Sequence, residues 1–150
     1  MYDFFLIAHS WLRWITLILA VVVIFKSYAG WFGNGTYSKG DNGLAASFVG
    51  TLHLQLLIGL VLYVFLSPIT SAAFQDFGAA MKDSAVRYWA VEHIFVMIIG
   101  IIIAQVGRTK AKKCYGDVKK FRIQAIFFTI AILLILSRIP FAESGRLFRF

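Results

Sequence analysis

Residues 83–108, DSAVRYWAVEHIFVMIIGIIIAQVGR, decide the fold. The stretch begins with Asp83 and Ser84, and both residue types can cap the N-terminus of a helix. From Tyr88 to Val106 it is almost entirely apolar. About 20 apolar residues are enough for a helix to cross a hydrocarbon core of roughly 30 Å. The stretch therefore predicts a transmembrane helix.

Three polar side chains interrupt this apolar run: Glu92, His93 and Gln105. Ionisable groups are costly in lipid and normally face the interior of a helix bundle. Successive helical residues lie about 100° apart, so one face carries His93 and a set of small or flexible residues: Met97, Gly100, Ala104 and Gly107. A histidine followed by such a face predicts a metal ligand with room beside it for a flat cofactor, which Gly100 would contact.

The composition of the whole chain indicates a membrane protein. Of its 150 residues, 60% are hydrophobic, whereas soluble domains are usually about 45–50% apolar. Four apolar runs predict an all-α fold, a four-transmembrane-helix bundle that forms a single membrane domain over residues 1–150. The crossings are expected near residues 4–26, 43–66, 85–107 and 120–139, with a short helix on the outer surface between the second and third.

The distribution of charge predicts the orientation in the membrane. The loops at 27–43 and 107–122, together with Lys26, carry nine Lys/Arg and two acids, and the other face carries six Lys/Arg and five acids. The positive-inside rule therefore predicts that the 108–122 loop, RTKAKKCYGDVKKFR, is cytoplasmic and that both termini are external. The same rule accounts for the net charge of +8, so nucleic acid is not expected as a partner.

The first crossing contains the sequence HSWLRW, residues 9–14, which repeats the pattern of the third crossing. His9 and His93 each lie about five residues inside the external end of their apolar runs. The first and third helices of a sequential bundle run parallel and can sit diagonally across it. Two histidines at equal depth predict the axial ligands of a b-type haem. Arg13 would then neutralise a haem propionate or pair with Glu92.

His53 does not fit this pair, because it lies deeper on an antiparallel helix. It could ligate a second haem, bind a quinone or hydrogen-bond a neighbouring glutamine. A three-histidine zinc or copper site is another interpretation, and a cofactor-free accessory or assembly subunit of a membrane complex is a third. No nucleophilic triad, phosphate loop or carboxylate pair is present in the sequence, so an electron-transfer subunit is more plausible than a stand-alone enzyme.

Three stretches carry a resemblance to a known family: HSWLRW at 9–14, TLHLQLLIGLVLY at 51–63 and RYWAVEHIFVMIIG at 87–100. With them the chain resembles a bacterial family of short four-helix cytochrome b-like integral membrane proteins. The resemblance covers nearly the whole chain, and His9, His53 and His93 match the histidines of the family.

This resemblance implies membrane-bound haem b and electron transfer within a respiratory or redox complex of the bacterial inner membrane. The chain also looks loosely like the membrane anchors of respiratory dehydrogenases, which bind haem and quinone between helices. The expected partners are the lipid bilayer and a membrane redox partner or quinone, within a larger complex or a homo-oligomer. The larger dihaem cytochromes b carry four histidines in two pairs, so the three histidines here favour a single haem.

Overall fold

The computed structural model describes residues 1–149, and these residues form helices and turns without any β-strand. The α-helices are α1 Tyr2–Phe32, α2 Lys39–Val61, α3 Pro68–Gln75, α4 Phe77–Lys82, α5 Ser84–Arg87, α6 His93–Lys113, α7 Asp117–Leu136 and α8 Ser144–Leu147. Two π-helical segments, π1 Leu62–Leu66 and π2 Tyr88–Glu92, extend α2 and join α5 to α6. The prediction of an all-α protein is confirmed.

Three helical stretches are long and apolar enough to cross a membrane: Tyr2–Phe32, Lys39–Leu66 and Ser84–Lys113. Each contains one of the first three predicted crossings. Large apolar side chains are exposed along them, among them Ile15, Ile18, Val22 and Phe25 on α1. An exposed apolar face of this kind suits contact with lipid tails.

The fourth predicted crossing falls on α7, which differs from the three membrane-length stretches. Its first turns carry four charged residues, Asp117, Lys119, Lys120 and Arg122. The helix ends at Leu136, before the end at residue 139 that the sequence predicted, because the chain turns at Ser137.

The four long helices pack in a closed order. Helix α1 packs against α2 and α7, and α6 packs against α7 and α2, so α1 and α6 lie diagonally across the bundle. The buried core between them contains Ala20, Phe48, Ala104, Phe128 and Ala131. The predicted haem site between His9 and His93 requires this diagonal arrangement of α1 and α6.

The small residues of α6 have a different role from the predicted one. A Cβ atom added to Gly100 would lie 2.8 Å from Cγ1 of Ile135, and one added to Gly107 would overlap Phe127. Both glycines therefore let α7 approach α6 closely, as small residues do in membrane helix pairs. The expectation that Gly100 borders a cofactor is corrected, because α7 fills the space beside it.

The start of α2 is fixed by a capping box. Ser38 accepts a hydrogen bond from the amide of Asp41 at 3.2 Å, and the Asp41 carboxylate accepts from the Ser38 amide at 2.9 Å. The same carboxylate pairs with Lys26 of α1 at 3.0 Å. This cap fixes the beginning of α2 beside α1, at the end of the bundle opposite the chain termini.

We expect Gly107→Ala to destabilise the protein. The added methyl group meets Phe127 across the α6–α7 contact, and overpacking of this kind typically costs about 1–3 kcal/mol. The free energy of unfolding, measured in detergent, is the readout. Gly50→Ala is the matched control because nothing lies within 4 Å of a Cβ atom there, and equal effects of the two substitutions would contradict the close contact.

Candidate functional site

A cavity of ≈ 160 Å³ lies between the long helices, at the end of the bundle that carries the chain termini. Its walls are mostly apolar side chains from α1, α2, α6 and the end of α7. Five of its more polar lining residues bear on the chemistry of the site: His9, Arg13, Gln55, His93 and Arg146. An apolar cavity with a few convergent polar groups is the usual form of a ligand site.

His93 is held from behind by a backbone carbonyl group. Its Nδ1 lies 2.9 Å from the carbonyl oxygen of Arg138, and the Tyr88 hydroxyl donates to the same oxygen at 2.6 Å. Because a carbonyl oxygen only accepts hydrogen bonds, Nδ1 carries the proton, and the lone pair remains on Nε2. A second hydrogen bond of this type is what orients a metal-binding histidine.

His9 lies on α1 and is seated by residues of α2. The Gln55 side-chain amide donates to the backbone carbonyl of His9 at 2.8 Å. A Cβ atom at Gly59 would lie 3.3 Å from Cε1 of the imidazole, so only glycine leaves the ring undisturbed in this place. Within the described chain, the buried Nδ1 of His9 has no hydrogen-bond partner.

The structure thus brings His9 and His93 to one cavity from diagonal helices. Both imidazoles belong to its lining, together with the flexible thioether of Met97. His9 and His93 therefore line one cavity, and their pairing as metal ligands stays a prediction.

Arg13 also lines the cavity, but its partners differ from the expected ones. Its Nη2 donates to the carbonyl oxygens of Arg146 at 3.0 Å and Leu147 at 2.7 Å, and to the Ser10 hydroxyl at 3.0 Å. Its buried Nε has no hydrogen-bond partner in the described chain. Arg13 therefore presents an unused donor at the cavity.

The expected pair of Arg13 with Glu92 is not formed. Glu92 lies outside the cavity lining and pairs with Arg87 at 2.9 Å and with Arg138 at 3.8 Å. The π-helical segment that ends at Glu92 places this carboxylate toward α5 and the end of α7. This correction leaves Arg13 with neutral partners among the described residues: two carbonyl oxygens, the Ser10 hydroxyl and the Trp14 ring.

His53 lies on the outer surface of the bundle and is not part of the cavity. Its Nδ1 lies 2.8 Å from the carbonyl oxygen of Val49 on its own helix. The side chains of residues i and i+2 lie about 200° apart around the axis of an α-helix. His53 and Gln55 therefore cannot both face the inside of the bundle. The three-histidine metal site is therefore corrected: the described residues contain no group of three His, Cys, Asp or Glu side chains that could hold a metal ion.

Sequence reasoning missed the contribution of α2 to the site. Leu52, Gln55, Leu56 and Gly59 all line the cavity, and their spacing of three and four residues marks one helical face. That spacing could have identified the side of α2 that faces the cavity. The sequence prediction instead considered His53, which lies on the opposite face. Arg146 had no comparable signal, because it lies in α8, a four-residue helix too short to show a periodic pattern.

Tyr63 links the two π-helical segments. Its hydroxyl donates to the carbonyl oxygen of Ala90 at 2.6 Å, and its own carbonyl accepts from the Thr70 hydroxyl at 2.7 Å. These bonds tie π1, α3 and π2 together beside the histidines.

We expect Tyr63→Phe to lower the free energy of unfolding by about 0.5–1.5 kcal/mol, the usual net value of one hydrogen bond. The phenyl ring keeps the packing of the tyrosine, so the change isolates the hydroxyl group. Chemical denaturation in detergent measures the difference. Tyr115→Phe is the control, because Tyr115 is 94% exposed, and a Tyr63→Phe protein as stable as this control would show that the bond is unimportant.

Comparison of the chain with protein-family models, with curated proteins and with solved structures found no match. The resemblance that the three sequence stretches suggested accordingly stays a prediction. The functional argument rests on the residues of the cavity.

Proposed function

We propose that the protein is a membrane-bound haem b protein that carries single electrons. The observation that supports this most strongly is the presence of His9 and His93 in the wall of one cavity, on helices that lie diagonally across the bundle. Diagonal helices present their side chains to each other from opposite sides. A planar group between them would have one imidazole on each face.

The chemistry of the two histidines suits this ligand. His93 offers Nε2, because Nδ1 is used on the Arg138 carbonyl. His9 is fixed through Gln55 and fits against Gly59. His9 and His93 would hold a haem iron, which would supply one-electron transfer. The residues of the chain hold, orient and insulate it from water.

Arg13 supports the binding of a carboxylate. Its guanidinium group lies at the cavity, its Nε is buried without a partner, and its other donors bind neutral carbonyl groups. A charge buried in this way is normally paired. In the proposed complex a haem propionate pairs with Arg13.

The size of the cavity sets a condition on the proposal. A cavity of about 150 Å³ holds a ligand as large as benzene, and the cavity here is ≈ 160 Å³. A porphyrin is several times larger than benzene, so part of the wall has to move outward for the haem to bind. Besides the long helices, the wall includes the start of α3 and the chain segment after α7, and Met97 contributes a flexible thioether.

We place the protein in the bacterial inner membrane with four crossings, including α7, and with external termini. The cluster of seven Lys/Arg at 108–122 supports a cytoplasmic position for that loop. In this orientation the histidine cavity lies in the outer half of the membrane. His53 faces outward from α2 and is available to a quinone or a redox partner within a larger complex or homo-oligomer.

We expect the purified protein to show the absorption spectrum of low-spin haem b. His9→Ala and His93→Ala should each abolish that spectrum or convert it to a high-spin form, because each leaves an axial position open. His53→Ala is the matched control and should retain the spectrum, since His53 lies outside the cavity. Visible spectroscopy of the oxidised and reduced proteins, expressed with haem supplied, gives the readout.

Two results would overturn this assignment. Wild-type protein that neither contains nor takes up haem would leave the cofactor-free accessory subunit as the better interpretation. Loss of the spectrum in His53→Ala with a normal spectrum in His9→Ala would move the ligands to the second and third crossings.

The orientation is tested separately with reporter fusions. We expect a reporter that is active only in the cytoplasm to work when inserted at Tyr115 and to be inactive at the C-terminus, because the 108–122 cluster is retained inside. A reporter of the opposite kind, active only outside, serves as the control at both positions. Cytoplasmic activity at the C-terminus would contradict both the external termini and the crossing by α7.

A further inference from the structure

One wall of the histidine cavity is not a long helix. Helix α7 ends at Leu136, and residues Pro140–Arg149, here called the C-terminal strap, run from the end of α7 to α1. Ile139, Pro140 and Arg146 contribute to the cavity lining. Pro140 and Arg146 belong to the strap, which therefore forms the part of the cavity wall that follows α7 and contacts Arg13.

The strap is attached to α1 by side chains that donate to its carbonyl groups. The Leu147 oxygen accepts from the Ser10 hydroxyl at 3.2 Å, from Arg13 Nη2 at 2.7 Å and from Trp14 Nε1 at 2.9 Å. The Arg146 oxygen accepts from the same hydroxyl and guanidinium groups at 3.3 and 3.0 Å. Trp11 Nε1 donates to the Arg149 oxygen at 2.8 Å.

These bonds account for the sequence HSWLRW. His9 faces the cavity, whereas the other polar members of the sequence, Ser10, Trp11, Arg13 and Trp14, all donate to the strap. Two ring contacts complete the attachment. Phe148 stacks on Trp14 with ring centroids 5.1 Å apart, and the Arg146 guanidinium lies 4.3 Å from the ring centroid of Trp89.

The attachment of the strap differs in kind from that of the long helices that line the cavity. Its only helix, α8, is a single turn, and Glu143, which forms an ion pair with Arg146, belongs to the strap itself. Segments held by a few side-chain bonds and little buried apolar area open locally at lower free energy than packed long helices. We therefore expect the strap to open more readily than the long helices, whereas the start of α3 is held by Thr70, which is 2% exposed and donates to the Tyr63 carbonyl oxygen.

We propose that the C-terminal strap is the gate of the histidine cavity, held shut by the donors of residues 10–14 on α1. Opening the strap exposes His9, His93 and Met97 to the outer surface and removes the neutral acceptors from Arg13. A ligand with a carboxylate group then replaces those acceptors on the guanidinium. Opening the strap also provides the extra volume that a haem requires. The volume is gained on the side of the cavity where Arg13 lies.

The test uses a cysteine introduced at position 97 and requires no cofactor. The variants carry Cys114→Ser, to remove the native thiol, and Met97→Cys in the cavity wall. The rate of alkylation by N-ethylmaleimide is measured in detergent on otherwise wild-type protein and on the added variants Ser10→Ala and Trp14→Phe. Trp14→Phe keeps an aromatic ring for stacking on Phe148 and removes the N–H donor together with part of the indole ring, and a control Trp→Phe substitution elsewhere accounts for that loss of volume.

We expect the alkylation rate to rise about 5-fold for each lost hydrogen bond, which is the effect of one typical bond on an opening equilibrium. The matched control is Trp31→Phe, because Trp31 lies in an aromatic stack with Tyr28 and Phe32 and does not contact the strap. It should leave the rate unchanged. A cysteine introduced instead at Ala131, which is buried between α6 and α7, should stay unreactive in all variants.

Unchanged rates in Ser10→Ala and Trp14→Phe would overturn the gate. So would an equal rise at positions 97 and 131, because that result indicates loosening of the whole bundle. If Met97→Cys does not fold, Thr16→Cys samples the same cavity from α1. The alkylation test uses no added haem, so its result does not depend on the haem proposal. The absorption spectrum decides whether the protein binds haem, and the alkylation rate decides whether the strap is a gate.

Discussion

The structure depends on one constraint: backbone carbonyl groups that leave regular α-helix inside an apolar surrounding must find donors. In lipid, irregular backbone is tolerated only where it is buried in protein and satisfied. The histidine end of the bundle contains two π-helical segments, the early end of α7 and the strap. Side chains supply the donors there: Tyr63 to Ala90, Tyr88 and His93 to Arg138, and the group from Ser10 to Trp14 to the strap. The polar residues that crowd this end are needed for its backbone as well as for any ligand.

The sequence predicted the elements of the fold and the central pair of the site, because both follow from periodicity and depth. Apolar length locates helices in a membrane protein, and each of the first three predicted crossings lies within a membrane-length helix. Two histidines at the same depth on parallel helices have to come close if those helices are diagonal, and α1 and α6 are diagonal. The fourth element was located as a helix, but its end was placed three residues too late because Ser137 and Arg138 turn the chain.

The remaining errors arise where one residue type serves two purposes. Small residues beside His93 suit a flat cofactor and a closely packed helix equally well, and α7 takes that face at Gly100. A histidine in a crossing can face the bundle or the outside, and the rotation of α2 was set by Gln55 and Gly59 on the opposite face. Arg13 binds backbone carbonyl groups of residues more than a hundred positions away. Every residue has such a group, so the sequence does not indicate which residues accept these hydrogen bonds. Sequence patterns report faces and depths, whereas these contacts depend on tertiary packing.

The charges at the cavity indicate what kind of ligand it favours. Arg13 and Arg146 both belong to its lining, and no Asp or Glu does so among the described residues. Glu143 offsets Arg146 from within the strap, but Arg13 has neutral partners among the described residues, and its Nε has no hydrogen-bond partner there. A cation in a medium of low dielectric constant attracts an anion far more strongly than it does in water. When the strap opens, the carbonyl acceptors leave Arg13 together with Glu143 and Arg146, so the guanidinium group loses those hydrogen-bond partners as a ligand becomes able to reach it. The same bonds that hold the cavity shut therefore favour a ligand that brings a carboxylate to α1 over a neutral one.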